Sequence, residues 1–317
     1  MSGFTTEDTD WESGQRQLSA VLVQWRSSEA AVPVLAALGE FARGAAMGDC
    51  RPLAGLFGGD AAIAGDVIGG LVDGVVNGLA RSPLGQLPLR HARRKTSHTL
   101  LLARDGTASL AITVYDGVAL AAQPTPHSAE FAPIETWVRV LAGTGTAERV
   151  TRDTEYLAPL QRAEVDLRPG VMLKRDGWCE GLQMRAVDGA LVVLRLQRQL
   201  RVPDTVHEFR LEDGALLHRA AARSEDSRLE LAIAVLVAQG RRDAVPALAR
   251  IVTGSAPVSL RWSALRAVLG LDTRAGLVLL GELAGGEDEV LGAAARGLQR
   301  DLIDEWPELE KVAQWRG

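Results

Sequence analysis

Residues 98–221 contain three turns of nearly one spelling: Arg104-Asp105-Gly106-Thr107, Val187-Asp188-Gly189-Ala190 and Glu212-Asp213-Gly214-Ala215. Each Asp-Gly pair stands between extended apolar segments, and type I′ hairpin turns favour this pair because both central residues need positive φ. The pattern therefore predicts three β-hairpins. In the first, Leu101 would face Leu110. In the second, residues 190–196 would form a central strand paired with residues 181–187.

The segments on both sides of this region have the apolar spacing of helices. The spacing holds from Gln17 to Ala46, and similar Ala/Leu-rich units begin at Leu229, Leu260 and Val290, about 30 residues apart. We therefore expect an α+β chain with a flexible tail, N-terminal helices, a central antiparallel β-barrel or jelly roll, and C-terminal α-hairpin repeats. The expected bounds of these parts are residues 1–16, 17–89, 98–222 and 227–317.

The composition is that of a folded chain, with 47% hydrophobic residues and a net charge of −5. This charge argues against a general nucleic-acid binder, and the basic segment 90–95 reads either as a solvated linker or as an anion or nucleic-acid contact. Lysine is scarce whereas Arg, Ala and Gly are abundant. We attribute this bias to a GC-rich bacterial genome, so arginine content alone does not indicate phosphate binding.

The sequence gives no sign of export or of a membrane span. The acidic N-terminus lacks the basic and apolar parts of a signal peptide, and the most apolar segment, residues 61–80, contains two aspartates and many glycines. Cys50 and Cys179 stand far apart, and no Cys/His cluster accompanies them, which excludes a disulfide framework and a zinc finger. We therefore expect a cytoplasmic protein that does not bind a membrane.

Gly70, Gly74 and Gly78 recur every four residues and would form a flat stripe on one helix. Such a stripe permits close approach by another element. It is compatible with a helix packed inside its own domain or with a homodimer interface.

Part of the β-rich region resembles a degenerate cupin. The resemblance rests on the Leu167-Arg168-Pro169-Gly170 turn, on Glu180, and on the segment from Val202 to His207, and it spans residues 98–221 at most. Cupins have a Pro-Gly turn, a His-x-His…Glu motif and a later Pro…His motif around a metal inside a barrel. Here Lys174 and Asp176 stand where the His-x-His pair would be. The resemblance implies a barrel with a pocket and puts the standard metal site in doubt.

Residues 227–303 resemble short bacterial HEAT-like repeats, in which pairs of helices stack on one another. The repeated Ala/Leu-rich units starting at Leu229, Leu260 and Val290 support the resemblance. It implies a helical surface that binds a protein or peptide partner.

Two histidines are the candidate metal ligands. The register predicted for the third hairpin puts His207 and His218 on one face, near Phe209. Together with Glu180 they would make a site of two imidazoles and one carboxylate, which suits a divalent transition metal. The alternative is that both imidazoles belong to a mixed core, with no cofactor bound.

Two tryptophans are candidates for ligand stacking, because Trp137 and Trp178 belong to the β-rich region and would line the mouth of the barrel. Trp262 fits the core of the helical repeats instead. Cys179 has no basic partner in the sequence that would activate it as a nucleophile, so we interpret it as structural.

The sequence thus favours a non-catalytic binding or regulatory protein, with a pocket for a small molecule or peptide and a helical surface for a protein partner. The alternative is a metal-dependent cupin-type enzyme, an oxygenase or isomerase, that uses Glu180, His207 and His218. The sequence names neither the ligand nor the reaction.

Overall fold

The computed structural model describes residues 6–58, 61–153, 159–200, 205–286 and 288–308, and it contains helices and antiparallel strands, as the sequence predicts. The helices are α1 (Thr6–Arg26), α2 (Ala31–Ala42), α3 (Arg51–Leu56), α4 (Ala61–Ala64), α5 (Gly70–Arg81), α6 (Gly117–Ala121), α7 (Ser224–Ala238), α8 (Val245–Thr253), α9 (Val258–Leu271), α10 (Thr273–Ala284) and α11 (Glu289–Glu305). A π-helical segment, Gly65–Gly69, joins α4 to α5, and a 3₁₀ turn, Arg242–Ala244, precedes α8.

The strands divide between a large sheet and a small one. They are β1 (His91–Arg93), β2 (Ser97–Asp105), β3 (Ala108–Asp116), β4 (Ser128–Phe131), β5 (Ile134–Thr151), β6 (Gln161–Leu167), β7 (Met172–Asp176), β8 (Glu180–Gln199), β9 (Thr205–Arg210) and β10 (Leu216–Ala221). The large sheet has the order β1-β2-β3-β8-β5-β6, with β7 also paired to β5.

The chain forms two compact units, residues 1–200 with 209–215 and residues 201–208 with 216–317. The first unit contains both the N-terminal helices and the large sheet. Helix α1 begins at Thr6, so residues 6–16 of the predicted flexible tail are helical, and residues 1–5 lie outside the described residues. The side chain of Gln15 holds this helix, because its amide donates to the Gln86 carbonyl (2.7 Å) and accepts from the Gln86 amide (3.0 Å).

The hairpin predicted at Asp188-Gly189 is wrong. Both flanking segments belong to the single strand β8, which pairs antiparallel with β5 from Ile134 opposite Gln199 to Thr151 opposite Glu180. The chain continues through Gly189, at φ +64°, as a bulge in β8. Asp-Gly therefore marks a bulge here, since a bulge needs the same positive φ as a hairpin turn.

The bulge lies opposite Gly143 of β5, which also has a positive φ of +83°. An added Cβ at Gly143 would lie 2.0 Å from the Ala190 carbonyl oxygen, and one at Gly145 would lie 2.4 Å from the Ala186 carbonyl oxygen. The two strands can approach this closely only because side chains are missing at these positions. We call this bulged part of the β5–β8 pair the glycine bend.

The closed barrel expected for residues 98–222 is also corrected. Among the described residues, no ladder joins β1 to β6, so the sheet is open. Strands β5 and β8 pair on both sides of the glycine bend, and residues from both sides pack into one buried cluster, so the sheet is not divided by a hairpin at that point.

The first predicted hairpin exists as β2 and β3, but its register differs from the prediction. Asp105 pairs with Ala108, so the turn is Gly106-Thr107, and a bulge between Leu101 and Ala103 places Leu101 opposite Ala111. The third hairpin, β9 and β10, has a longer turn than predicted, because the Arg210 amide donates to the Ala215 carbonyl (2.8 Å).

The two faces of the large sheet bury different cores. The helix face packs against the N-terminal helices through Leu102, Leu110, Trp137, Leu194 and Leu196. The opposite face, which we call the inner face, buries residues from both sides of the glycine bend: Val138, Val140, Ala147, Leu167, Leu191 and Val193. Residues from the two sides of the bend thus cover the apolar part of the inner face.

Two glycines of the α5 stripe contact helix α1 of the same unit. An added Cβ at Gly74 would lie 2.9 Å from Val21, and one at Gly78 would lie 2.8 Å from Leu18, whereas one at Gly70 would meet nothing within 4 Å. A homodimer through this stripe stays a prediction.

In the second unit, helices α7 to α11 pack around a core of their own. Its fully buried members come from several helices: Val252, Leu260, Ala264, Leu265, Val268, Leu280, Leu291 and Ala295. The helical character predicted for residues 227–317 is confirmed for the described residues, whereas the likeness to HEAT repeats stays a prediction. None of the helices described here combines the length and apolarity that crossing a membrane requires.

The glycine bend predicts that two glycines of positive φ differ in how much stability is lost when each is replaced by alanine. Gly143→Ala adds backbone strain and a collision with the Ala190 carbonyl, so it should lower the free energy of unfolding by about 3 kcal/mol. Gly170, at φ +87°, has open space around its Cβ position, so Gly170→Ala should cost only about 1 kcal/mol. Urea unfolding of both variants measures this. Equal losses would contradict a bend held by close backbone contact.

Candidate functional site

The inner face becomes polar away from the glycine bend. The ladder from β3 to β8 is regular, so Leu191, Val193 and Arg195 share the inner face, and Arg195 lies opposite Val138 of β5. One row further along, Thr136 pairs with both Gln197 and Arg175. Since paired residues share a face, two arginine side chains lie on the inner face.

The environments of Arg175 and Arg195 disfavour positive charge. Burial lowers the pKa of both guanidinium groups below the usual value, and the nearby Tyr115 opposes this shift. The charge of Arg195 lowers the pKa of Arg175 further, and Arg94 acts in the same sense on Arg195. Glu180 and Glu130 raise the pKa of Arg175, so two partly buried cations lie beside one phenol and, at Arg175, near two carboxylates.

Arg195 lacks the partners that a buried cation needs. Its Nε is buried without a hydrogen-bond partner, and within the described ranges its guanidinium makes no hydrogen bond or ion pair. Arg175 has one bond, from Nη1 to the backbone carbonyl of Glu180 (3.2 Å). Both residues are half-buried, so the cost of an unpartnered charge here is smaller than the roughly 3–5 kcal/mol of a fully buried one.

Two arginines on the helix face of the same sheet have structural roles. Arg139 is buried, and its Nη1 donates to the carbonyls of Leu56 (3.1 Å) and Gly58 (2.6 Å) beyond helix α3. Arg198 donates to the carbonyls of Phe41 (2.9 Å) and Ala45 (2.8 Å), which fastens the end of α2 to the sheet. Arg195 makes no comparable hydrogen bond to a backbone carbonyl among the described residues.

The groups around Arg175 and Arg195 are suited to holding an oxyanion. Guanidinium groups bind carboxylate and phosphate through paired N–H donors. Thr136 is buried between them, and its hydroxyl oxygen lies 3.3 Å from the Gln197 Nε2. Together with the Tyr115 phenol, these side chains form the candidate anion site.

Trp137 lies on the opposite face of the sheet. Its ring meets Phe41 edge to face with centroids 5.2 Å apart, and the Lys174 Nζ lies 5.3 Å from its centroid. Only 8% of Trp137 is exposed. The structure thus places it in the core under α2 and away from the inner face.

Trp178 follows β7, and its ring is covered by a cation. The Arg152 guanidinium lies 4.1 Å from the Trp178 ring centroid, and its Nε donates to the Trp178 carbonyl (2.7 Å). The same guanidinium lies 5.4 Å from Phe131 and 5.3 Å from Phe209. A ligand that stacked on this face of Trp178 would have to displace Arg152.

The three predicted metal ligands lie in different settings. Glu180 starts β8 and contributes its carbonyl and its charge to Arg175. His207 of β9 is partly buried, with Nε2 3.3 Å from the Thr205 Oγ1, and His218 of β10 is exposed. Within the described part of the chain, no three His, Cys, Asp or Glu side chains are grouped so that they could hold a metal ion.

The sequence interpretation missed Arg175, Arg195 and Tyr115 as site residues. One signal was present, because Arg195 interrupts an otherwise apolar segment, residues 190–196. A cation within such a segment is buried at a cost, and that cost is typical of a functional position.

No protein-family model and no curated protein matches this chain. Partial similarity exists to solved structures. One is a cupin superfamily protein from Desulfitobacterium hafniense DCB-2, at 16% identity, covering 34% of this chain and 83% of that one, with a TM-score of 0.23. Another is ectoine synthase from P. lautus, at 15% identity over 34% of this chain and 67% of that one, with a TM-score of 0.24.

A third structure is HutD from Pseudomonas fluorescens SBW25, at 15% identity, covering 38% of this chain and 59% of that one, with a TM-score of 0.26. TM-scores this low assign neither a fold family nor an activity to the chain. The candidate site therefore rests on its own geometry.

Because Arg195 lacks partners, we expect its replacement to increase the stability of the protein, whereas most substitutions decrease it. Arg195→Met removes an uncompensated cation and keeps most of the apolar stem, so it should raise the free energy of unfolding by about 1 kcal/mol. Arg139→Met, the matched control from the helix face, should lower it by about 3 kcal/mol because two buried carbonyls lose their donor. Urea unfolding near neutral pH measures both. Destabilisation by Arg195→Met would show that Arg195 is structural.

Proposed function

We propose that the protein is a binding protein for a small molecule with a carboxylate or phosphate group, held on the inner face between Arg175 and Arg195. The observation that carries this proposal is the half-buried Arg195 side chain, whose Nε is buried and has no hydrogen-bond partner among the described residues. An anion would supply the missing compensation. Partial burial strengthens the interaction, because the effective dielectric constant is lower there than in water.

The proposal keeps the binding role expected from the sequence and changes the residues that perform it. In this proposal, the inner face of the open sheet takes the place of the predicted barrel pocket. A cupin-like fold for the sheet remains part of the proposal. The helices of the second unit remain the proposed surface for a protein or peptide partner.

The alternative, a metal-dependent reaction through Glu180, His207 and His218, is less compatible with the charges. Glu180 is close enough to Arg175 to influence its pKa, and a guanidinium beside a carboxylate opposes the approach of a divalent cation. The same guanidinium favours an anion.

Calorimetric titration with inorganic phosphate and with succinate tests the proposal and separates phosphate from carboxylate ligands. The wild-type protein should bind one of the two with an affinity that falls as salt increases. Arg195→Met and Arg175→Met should each weaken binding at least tenfold, which corresponds to about 1.4 kcal/mol.

Arg16→Met is the matched control, because the Arg16 side chain is 69% exposed and pairs only with Glu12 in the described structure. It should bind like the wild type. The proposal fails if Arg195→Met, shown to be folded by circular dichroism, binds as tightly as the wild type, or if neither anion binds at all.

A further inference from the structure

The second unit contains a cavity of about 530 Å³. Its walls come from β9 and β10 and from helices α7, α9 and α11, which contribute among others Thr205, Arg219, Glu230, Trp262 and Leu291. The volume falls in the range of roughly 300–1,000 Å³ that small-molecule pockets occupy. The candidate anion site belongs to the first unit, so this cavity is a separate feature.

Apolar surface and donors are combined in this cavity. Leu291 is fully buried beneath it, and Trp262 packs partly against the same core. The indole N–H of Trp262 makes no hydrogen bond to any described residue. Ser259 and Ser263 of the same helix, α9, also line the cavity, and Ser259 already has an interaction of its own.

The cavity has a positive rim. Arg219 and Arg266 both line it and are exposed, and neither makes a hydrogen bond or an ion pair in the ranges that the structure describes. Glu230, an acidic residue of the lining, already has an interaction of its own. The two guanidinium groups are therefore the charges available to a ligand.

We infer that this cavity is a second ligand site, which takes a planar organic anion: an aromatic or heteroaromatic ring with a carboxylate, sulfonate or phosphate group. The ring would stack against the Trp262 indole, whose flat surface offers contact at low entropic cost. The anionic group would lie between Arg219 and Arg266, which can bind it through paired N–H donors. This inference does not depend on the proposed function of the inner face.

The fluorescent probe 8-anilinonaphthalene-1-sulfonate tests the site, because it joins a planar ring system to one anionic group. The folded wild-type protein should bind it saturably with a rise in fluorescence. Trp262→Ala and Arg266→Met should each weaken binding at least tenfold. Unlabelled 2-naphthoate should displace the probe, whereas 2-naphthol, which has the same rings without the charge, should not.

Two matched variants serve as controls. Arg250→Met removes an exposed arginine of α8 that does not line the cavity, and Trp306→Ala removes a tryptophan that is 44% exposed beyond α11. Both should bind the probe like the wild type. Trp262→Phe covers the case in which the alanine variant does not fold, and it should weaken binding less than Arg266→Met.

The inference is overturned if Arg266→Met binds the probe as the wild type does, or if the control variants lose binding equally. Displacement by 2-naphthol as effective as by 2-naphthoate would also overturn it, since the cavity would then be a purely apolar surface of the kind that accepts a peptide.

Discussion

The first unit depends on the close backbone contact between Gly143 of β5 and Ala190 of β8. At this point an added Cβ would lie 2.0 Å from a carbonyl oxygen, so only glycine allows the two long strands to stay paired through the bulge. Val138, Val193 and Leu191 are buried together with Ala147 and Leu167 from the other side of the bend. The buried part of the inner face therefore combines residues from both sides of this contact.

The two faces of the sheet use the same kind of side chain for opposite purposes. On the helix face, Arg139 and Arg198 bind backbone carbonyls at the ends of α3 and α2, and so fasten the helices to the strands. On the inner face, the Arg195 Nε is buried without a partner, and Arg175 binds one carbonyl. The hydrogen bonds of Arg139 and Arg198 stabilise the fold, whereas Arg195 and Arg175 are partly buried at an energetic cost. Such a cost is understandable where a ligand supplies the missing charge.

The sequence correctly predicted the class of fold but not how the strands are connected. Alternating apolar segments and helical spacing correctly indicated antiparallel strands between two helical regions. The Asp-Gly pairs could not distinguish a hairpin turn from a bulge, because both need positive φ, and so the pair at Asp188-Gly189 was misread. The site was missed for a related reason: Arg195 and Arg175 are 20 residues apart in sequence, and only the pairing of β8 and β7 with β5 brings them to one face.

The central claim is that Arg195 binds an anion. NMR of the arginine Nε–H groups tests this claim most directly. The Arg195 resonance can be assigned as the signal missing from Arg195→Met. On addition of the anion that binds, this resonance should shift and its N–H should exchange more slowly with water, while the Arg139 resonance stays in place. An Arg195 resonance that does not respond while the anion binds would contradict the account.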